Sequence, residues 1–247
     1  MNLIGTEFED GVLTITLRDE ENRNALSAEL TSELSQTLDE AESNSEVRVI
    51  VLTNSGRVFC AGADLSERSS RKKNTSQTKP VDPLEIFSRF RKSSKPYIGK
   101  ITGHCVAGGM GIAAAMDISI AIEEAKFGFT EVRIGVAPAM ISVLCLPKMR
   151  SAEASEAFLR GNRFSASEAA RMGLINAAVP ANEIDSAVQE VVSDIKAGGP
   201  EAIAAAKQLI LRVPQMQLDE AFNWTSELSS NLFKSEEAQE GMKAYLD

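Results

Sequence analysis

The sequence predicts an α/β fold with a helical C-terminal region, and three patterns support this prediction. Short apolar runs typical of covered strands alternate with segments of helical periodicity, which is the pattern of a parallel sheet connected by helices. Glycine-containing segments follow several of these runs. After about residue 150, the apolar residues recur at helical spacing alone. We therefore predict a core over residues 1–190 and a helical region over residues 191–247.

The first predicted elements are a β-hairpin and a crossover unit. An Asp-Gly turn signal separates the strand-like runs 3–9 and 12–17. Apolar residues at every third or fourth position then predict an amphipathic helix over 28–43. The next run, 47–52, is apolar on both faces, which predicts a strand that is covered on both sides.

Two more strands are predicted at 96–102 and 117–122, with a glycine-rich segment between them. Further along, Ser165 and Glu168 have the spacing of a capping box, which predicts the start of a helix. Gly173 is predicted to end this helix, and Gly198 and Gly199 to end the next one. Pro200 is predicted to open a further helix, which Pro214 closes.

Composition and charge narrow the class of protein. A chain of 247 residues, 43% of them hydrophobic, is long enough to form a hydrophobic core without disulfide bonds or a structural metal ion. The 26 basic and 35 acidic residues give a net charge of −9, which disfavours binding to nucleic acids or anionic membranes. The three cysteines have no CxxC spacing, so we expect buried, reduced thiols. We expect a small-molecule partner.

Membrane and metal signals are weak throughout the sequence. No run approaches the roughly 18 consecutive apolar residues of a membrane span, and the first residues lack the pattern of a signal peptide. We therefore expect a cytoplasmic protein that does not bind membranes. No cluster of His, Cys, Asp and Glu has metal-ligand spacing, so no metal is expected.

Three glycine-containing segments, 58–65, 103–111 and 127–138, follow strand-like runs, where α/β proteins usually keep their sites. Gly62 allows the backbone to turn so that the Ala63 amide points into a cleft. The second segment leads into a helix, whose first N–H groups carry a partial positive charge. Two such amides that converge would form an oxyanion hole.

Six segments of the chain, in the same order along the sequence, resemble those of the enoyl-CoA hydratase/isomerase (crotonase) superfamily. The resemblance implies a crotonase-like spiral of ββα units with a C-terminal helical trimerisation region. It also implies a homotrimer or a dimer of trimers that acts on acyl-CoA thioesters, with no cofactor beyond the coenzyme A of the substrate. The segments are 23–26, 59–64, 103–117, 127–131, 161–179 and 240–242.

The resemblance also implies roles for individual residues. The oxyanion donors fall on the amides of Ala63 and Gly108, and the general acid/base falls on Glu131, which has apolar neighbours in the sequence. Asp64 follows one donor and has a turn-capping role as its simpler interpretation. The substrate, including its coenzyme A part, is expected at Arg23, Ala25, Ala61, Ala63, Asp64, Leu65, Gly108 and Gly111.

The sequence departs from the two-carboxylate hydratase pattern at Gly111, which aligns with the first catalytic glutamate of that pattern. Enoyl-CoA hydratase remains the first interpretation, with Glu131 as the single retained carboxylate. A Δ3,Δ2-enoyl-CoA isomerase needs only one carboxylate, and a catalytically silent acyl-CoA binder needs none, so both stay open. If the space at Gly111 is open, Gly111→Glu would supply the second acid without harm to the fold.

A cation-rich segment, 68–79, follows the first oxyanion donor. In an acidic chain it is a candidate attractor for the phosphates of coenzyme A, and an equally good candidate for a merely solubilising loop.

Overall fold

The computed structural model describes residues 2–69 and 81–246. The candidate phosphate attractor 68–79 therefore lies almost wholly outside the described residues. In the described part of the chain, the strands are β1 Ile4–Glu9, β2 Val12–Leu17, β3 Val49–Asn54, β4 Val58–Cys60, β5 Tyr97–Ile101, β6 His104–Val106, β7 Ile118–Ile122, β8 Lys126–Gly128, β9 Phe164–Ser165 and β10 Ala177–Val179. The α-helices are α1 Ala28–Ser43, α2 Leu65–Arg68, α3 Pro83–Lys92, α4 Gly108–Ala115, α5 Ala139–Cys145, α6 Ser151–Arg160, α7 Ala166–Arg171, α8 Ile184–Ala197, α9 Pro200–Arg212, α10 Leu218–Leu232 and α11 Glu236–Leu246.

Two sheets organise the fold. The larger sheet has the order β1-β2-β3-β5-β7-β10, in which β1 and β2 are antiparallel and the remaining neighbours are parallel. The smaller sheet has the order β4-β6-β8-β9, and β4, β6 and β8 run parallel. The carboxyl ends of these three short strands therefore lie side by side. The predicted α/β class is confirmed.

Several local predictions are confirmed in detail. The β1–β2 turn places Asp10 and Gly11 at φ 46° and 77°, as an Asp-Gly hairpin requires. Helix α1 has the predicted bounds, because Ser27 caps its first turn by accepting from the Leu30 N–H. Ser165 and the Glu168 side chain form the reciprocal bonds of a capping box at the start of α7.

The prediction of helix alone after residue 150 is wrong. Strand β9 adds to the smaller sheet beside β8, and β10 pairs in parallel with β7 at the edge of the larger sheet. These strands have two and three residues. Runs this short carry too little alternation to be read as strands, and their conformation depends on the partner strand.

Helix α8 covers one face of the larger sheet. Its residues Ile184, Val188 and Val192 are buried against Val49, Ile98 and other apolar residues of the central strands. The predicted boundary after residue 190 falls inside this helix. The division of the chain into a core and a separate C-terminal region remains a prediction.

Helix α9 is fixed to the core by a buried ammonium group. Lys207, whose side chain is 7% exposed, donates to the Asp117 carboxylate at 2.7 Å and to the carbonyls of Lys95 and Phe90. Asp117 also accepts from the Tyr97 N–H at 2.8 Å. Because every proton of the ammonium has an acceptor, the charge is compensated at this junction.

Lys207→Met should lower the free energy of unfolding by about 3 kcal/mol, because it leaves the partly buried Asp117 carboxylate without its cation. Lys196→Met is the matched control, since Lys196 pairs with Asp10, whose side chain is 87% exposed. An exposed pair contributes about 0–1 kcal/mol. Urea unfolding of both variants measures the difference, and equal losses would contradict the anchoring role of Lys207.

Candidate active site

The candidate site lies where the segments after β4 and β6 meet. Gly62 has a φ of 87°, and a Cβ placed on it would lie 2.7 Å from the Gly108 nitrogen. A Cβ placed on Gly108 would lie 3.1 Å from the Gly62 Cα and 3.6 Å from the Ala63 nitrogen. Only a glycine pair allows this approach. The structure thus brings together the two predicted oxyanion donors, Ala63 and Gly108.

Both donor amides are available to a ligand. Across residues 2–69 and 81–246, neither the Ala63 N–H nor the Gly108 N–H donates to another group of the chain. Gly108 is the first residue of α4, so its N–H has no partner within the helix and carries part of the positive end of the dipole. Ala63 is exposed, and Gly108 is half-buried. The pair can stabilise a developing negative charge on an oxygen.

Ala107, the residue before the second donor, has a strained backbone conformation. Its φ is 50° and its ψ is −124°, a conformation that residues other than glycine rarely adopt. Its N–H donates to the Gly128 carbonyl at the end of β8, at 3.0 Å. Strained residues of this kind are maintained at sites where geometry matters. Ala107 therefore connects the oxyanion segment to the strand that leads to Glu131.

The predicted coenzyme A loop packs beside the first donor. The Ala61 N–H donates to the Arg23 carbonyl, and the Leu26 N–H donates to the Gly62 carbonyl at 2.7 Å. Arg23 has a φ of 57° and is exposed, whereas Ala25 is buried. These bonds place the predicted residues Arg23, Ala25 and Ala61 next to the Ala63 amide.

Asn24 connects this loop to strand β4. It is buried at φ 50°, and its side-chain amide donates to the Val58 carbonyl at 2.7 Å. Short polar side chains tolerate the left-handed region better than other non-glycine residues. Asn24 was predicted only as part of segment 23–26, and its burial was not predicted.

Asp64 has the turn-capping role. One carboxylate oxygen accepts from the N–H groups of Ser66 and Glu67, and the other accepts from the Asn22 side chain at 2.9 Å. Burial alone would raise the pKa of Asp64, but the hydrogen bonds from Ser66, Asn22 and Glu67 lower it. Leu65, which opens α2, is 55% exposed beside the site. Asp64 thus orients the donor segment.

Glu131 stands in a 3₁₀ turn, Thr130–Ile134, just after β8. Gly135, at φ 78°, ends this turn, and the Arg133 side chain donates to the Gly161 carbonyl. Glu131 is half-buried, and among the described residues its Oε2 is buried without a hydrogen-bond partner. An unpaired buried carboxyl oxygen is costly unless a ligand or a proton satisfies it.

Burial raises the pKa of Glu131, and the hydrogen bond from its own backbone N–H offsets this only in part. A raised pKa brings the carboxyl closer to the range in which it both accepts and returns a proton near neutral pH. Glu131 is close enough to Cys145 in α5 to raise the pKa of that buried thiol, although the desolvation of Cys145 is the larger cause.

The raised pKa predicts an opposite pH dependence for activity and for stability. If ionised Glu131 acts as the base, the acidic limb of kcat/KM should lie above its ordinary pKa of 4.5. The folded state binds this proton more tightly than the unfolded state, so stability should fall as the pH rises through that range. Glu131→Gln should remove this part of the slope in urea unfolding at fixed protein concentration, and an unchanged slope would contradict the burial of the group.

The space at Gly111 is filled. This residue lies one turn after Gly108 in α4, and a Cβ placed on it would lie 2.6 Å from Ile141 Cγ2 and 3.0 Å from Phe87 Cζ. The condition under which Gly111→Glu would leave the fold unharmed, an open space at this position, is therefore not met. Helix propensity favours the change by up to about 1 kcal/mol, but overpacking typically costs about 1–3 kcal/mol.

Ala107 was not predicted as a site residue, and the approach of Phe87 and Ile141 to Gly111 was not predicted either. Ala107 has no sequence signal, because an alanine at positive φ is held there by its surroundings. Phe87 and Ile141 are separated from Gly111 by many residues and meet it only in the fold. The Gly108–Gly109 pair that opens α4 was the one available sign of close packing around this helix.

Two amide donors that lie close together and have no partner among the described residues are an arrangement suited to acyl compounds whose oxygen gains negative charge during reaction. Comparison with known proteins then identifies the family. The enoyl-CoA hydratase/isomerase family model matches residues 7–247, and the chain belongs to this family.

Relatives and solved structures agree with this membership. The short-chain-enoyl-CoA hydratase of Clostridium acetobutylicum is 30% identical, over 100% of this chain and 95% of the relative. An enoyl-CoA hydratase structure from Mycobacterium smegmatis has a TM-score of 0.90 at 25% identity, covering 100% of this chain and 96% of the other. One from Bacillus anthracis has a TM-score of 0.89 at 28% identity, covering 98% and 95%. The predicted crotonase fold is confirmed.

Residues 2–69 and 81–246 contain neither a helix that could span a membrane nor a group of side chains that could hold a metal ion. No helix in these residues is long and apolar enough to cross a membrane. No three of their His, Cys, Asp and Glu side chains come together in a group that could hold a metal ion. The expectations of a metal-free and cofactor-free site remain predictions.

Proposed function

We propose that the protein is an enoyl-CoA hydratase-like enzyme that acts on acyl-CoA thioesters through an enolate, with Glu131 as its single acid/base. The observation that carries this proposal is the pair of available amides, Ala63 and Gly108, together with the Glu131 Oε2, which is buried without a partner among residues 2–69 and 81–246. The names of the relatives, which are predominantly enoyl-CoA hydratases, support the substrate class.

In this mechanism the thioester oxygen accepts hydrogen bonds from the Ala63 and Gly108 amides. As an enolate forms, the oxygen gains negative charge, and these fixed donors bind it more strongly than the neutral carbonyl. Glu131 transfers the proton at carbon. Its desolvation keeps the proton affinity high enough for both removal and return of the proton.

We assign the coenzyme A part of the substrate to the exposed residues beside Ala63, the first donor. Arg23 is exposed there, and Leu65 offers an apolar side chain to a ligand. The Ala25, Ala61 and Asp64 backbone borders the same edge, and Gly111 borders the acyl end. Arg23 is the one cation of this predicted set, which suits a phosphate-bearing ligand in an acidic chain.

Two reactions fit this machinery. In hydration, water adds to C3 of a 2-enoyl thioester, and the resulting enolate is protonated at C2. In Δ3,Δ2 isomerisation, Glu131 removes a proton from C2 of a 3-enoyl thioester, and the dienolate is protonated at C4. The glycine at position 111 favours the second reaction as an alternative, because it leaves one carboxylate.

Assays of both reactions test the proposal. We expect turnover of a short 2-enoyl-CoA, a 3-enoyl-CoA or both, with loss in Glu131→Gln. Thermal stabilisation by acyl-CoA thioesters without turnover of either would instead indicate a silent binder and contradict the proposed enzyme. Glu156→Gln is a suitable control, because Glu156 forms an exposed pair with Arg160 on α6.

We also propose a homotrimer or a dimer of trimers. The C-terminal helices expose several large apolar side chains, and burial of such side chains against other copies of the chain would remove them from water. Light scattering at micromolar concentration should give three or six times the 26.6 kDa chain mass. A monomer would contradict the proposal. The exposed residues include Ile210, Leu218, Phe222, Phe233, Tyr245 and Leu246.

A further inference from the structure

A small cavity lies where strands β3 and β5 of the larger sheet begin. Its volume is about 160 Å³, and it is bordered by the start of β3, the segment before β5, the end of α8 and the start of α9. Pockets that hold a drug-sized ligand usually have volumes of about 300–1,000 Å³. The cavity is therefore suited to a ligand of only a few heavy atoms.

Helix α1 separates this cavity from the candidate active site. Just before the helix, the Leu26 N–H donates to the Gly62 carbonyl, beside the first oxyanion donor. At the other end of the helix, the ammonium of Lys95, which lines the cavity, donates to the Ala41 and Asn44 carbonyls, both at 2.6 Å. The helix has 16 residues and is therefore about 24 Å long. The cavity is thus distinct from the proposed substrate site.

Three cationic side chains line the cavity, and among residues 2–69 and 81–246 no acidic side chain does. The cations are Arg48, Lys95 and Lys196, and all three are half-buried. Ser45 and Ser94 add hydroxyl groups, and the other lining residues are apolar. A lining of this kind offers hydrogen-bond donors and positive charge to an anion.

Two of these cations have no carboxylate partner in the described part of the chain. Arg48 donates from Nη2 to the Gly198 carbonyl at 2.8 Å, and Lys95 donates to the two carbonyls at the end of α1. Lys196 differs, because its ammonium pairs with the exposed Asp10 carboxylate. A guanidinium has five N–H donors and an ammonium has three. Arg48 and Lys95 therefore keep donors that a ligand can use.

Two acidic side chains outside the lining are engaged by other groups. Glu42 accepts from the Tyr97 hydroxyl at 2.7 Å, and Glu237 accepts from N–H groups in the first turn of α9 at 3.0 Å. Burial lowers the pKa of Lys95, and the charge of Glu42 offsets this only in part. A half-buried cation that is compensated only in part is stabilised by an anion beside it.

We propose that this cavity binds a phosphate group, of inorganic phosphate or of a small phosphomonoester, through Arg48 and Lys95. The planar guanidinium matches two phosphate oxygens, and the ammonium adds a second charge. Arg48 also binds Gly198 before α9, and the Lys95 carbonyl accepts from Lys207 of α9. An occupied site therefore stabilises the position of α9 on the sheet. This proposal does not depend on the proposed enzymatic function.

Calorimetric titration of the full-length protein with inorganic phosphate tests the site, at an ionic strength held constant with sodium chloride. Two charge-assisted hydrogen bonds support a Kd of about 1 mM. Arg48→Gln should weaken binding by about tenfold or more, because it removes one of these bonds. Arg18→Gln is the matched control and should bind as wild type does, since Arg18 is exposed and does not line the cavity.

A parallel titration with methyl phosphate distinguishes the two sources of the phosphate group. Tighter binding of methyl phosphate than of inorganic phosphate supports a phosphomonoester as the ligand. Weaker binding supports the free ion.

Ser94→Glu and Ser94→Gln form a second pair, which does not depend on Arg48. Ser94 is exposed, so both variants should fold. The glutamate places a carboxylate beside the cations, where it substitutes for the anion. We expect Ser94→Glu to have a higher Tm than Ser94→Gln without phosphate, and to bind phosphate at least about tenfold more weakly.

Three results would overturn the proposal. The first is the absence of saturable phosphate binding by folded wild type. The second is equal phosphate affinity within both comparisons, wild type with Arg48→Gln and Ser94→Glu with Ser94→Gln. The third is a loss of phosphate binding in Arg23→Gln but not in Arg48→Gln, which would indicate the proposed substrate site instead. None of these measurements uses turnover, so each is independent of the enzymatic assays.

Discussion

Glu131→Gln is expected to lower turnover by about a hundred-fold or more, while acyl-CoA affinity stays nearly unchanged. The amide has the shape of the carboxyl but cannot accept and return a proton. Steady-state kinetics with both enoyl-CoA substrates, together with acyl-CoA binding by calorimetry, measure the two effects separately. Unchanged turnover would contradict the role of Glu131.

The second large effect is expected from Gly62→Ala. The new Cβ would stand 2.7 Å from the Gly108 nitrogen, where it obstructs one donor and forces the loop to shift. Loss of one oxyanion donor lowers the rate by about a hundred- to a thousand-fold. We expect a fall of this size in kcat/KM.

Gly11→Ala separates this effect from backbone strain. Gly11 has a φ of 77°, close to the 87° of Gly62, but it lies in the β1–β2 turn. Both variants place alanine in the left-handed region and should lose similar stability for that reason. If the two folded variants retain similar activity, the oxyanion assignment of this segment is wrong.

Much of the fold could be predicted because local signals determined it. The Asp-Gly turn, the Ser27 cap and the Ser165–Glu168 capping box each act within a few residues, and each is present as predicted. The smaller sheet was harder. Its strands β4, β6 and β8 have three residues each and are stabilised by pairing with strands distant in the sequence.

The site was predicted in its parts but not in its packing. Gly62 indicated a turn of the backbone, the segment with Gly108 indicated the start of a helix, and the resemblance to the family supplied the role of Glu131. The occupied space at Gly111 could not be predicted, because Phe87 and Ile141 reach it from two different helices. That packing changes the interpretation of Gly111 from an open position to a closed one.

The most direct measurement is exchange of the C2 protons of butyryl-CoA with solvent deuterium, followed by NMR. Of the proposed machinery, this exchange needs only the oxyanion donors and Glu131. It involves no addition of water, and the substrate has no C=C double bond. We predict exchange with wild type and a loss of about a hundred-fold or more in Glu131→Gln. Wild-type protein that is stabilised by butyryl-CoA but does not exchange these protons, or undiminished exchange in Glu131→Gln, would contradict the enolate mechanism.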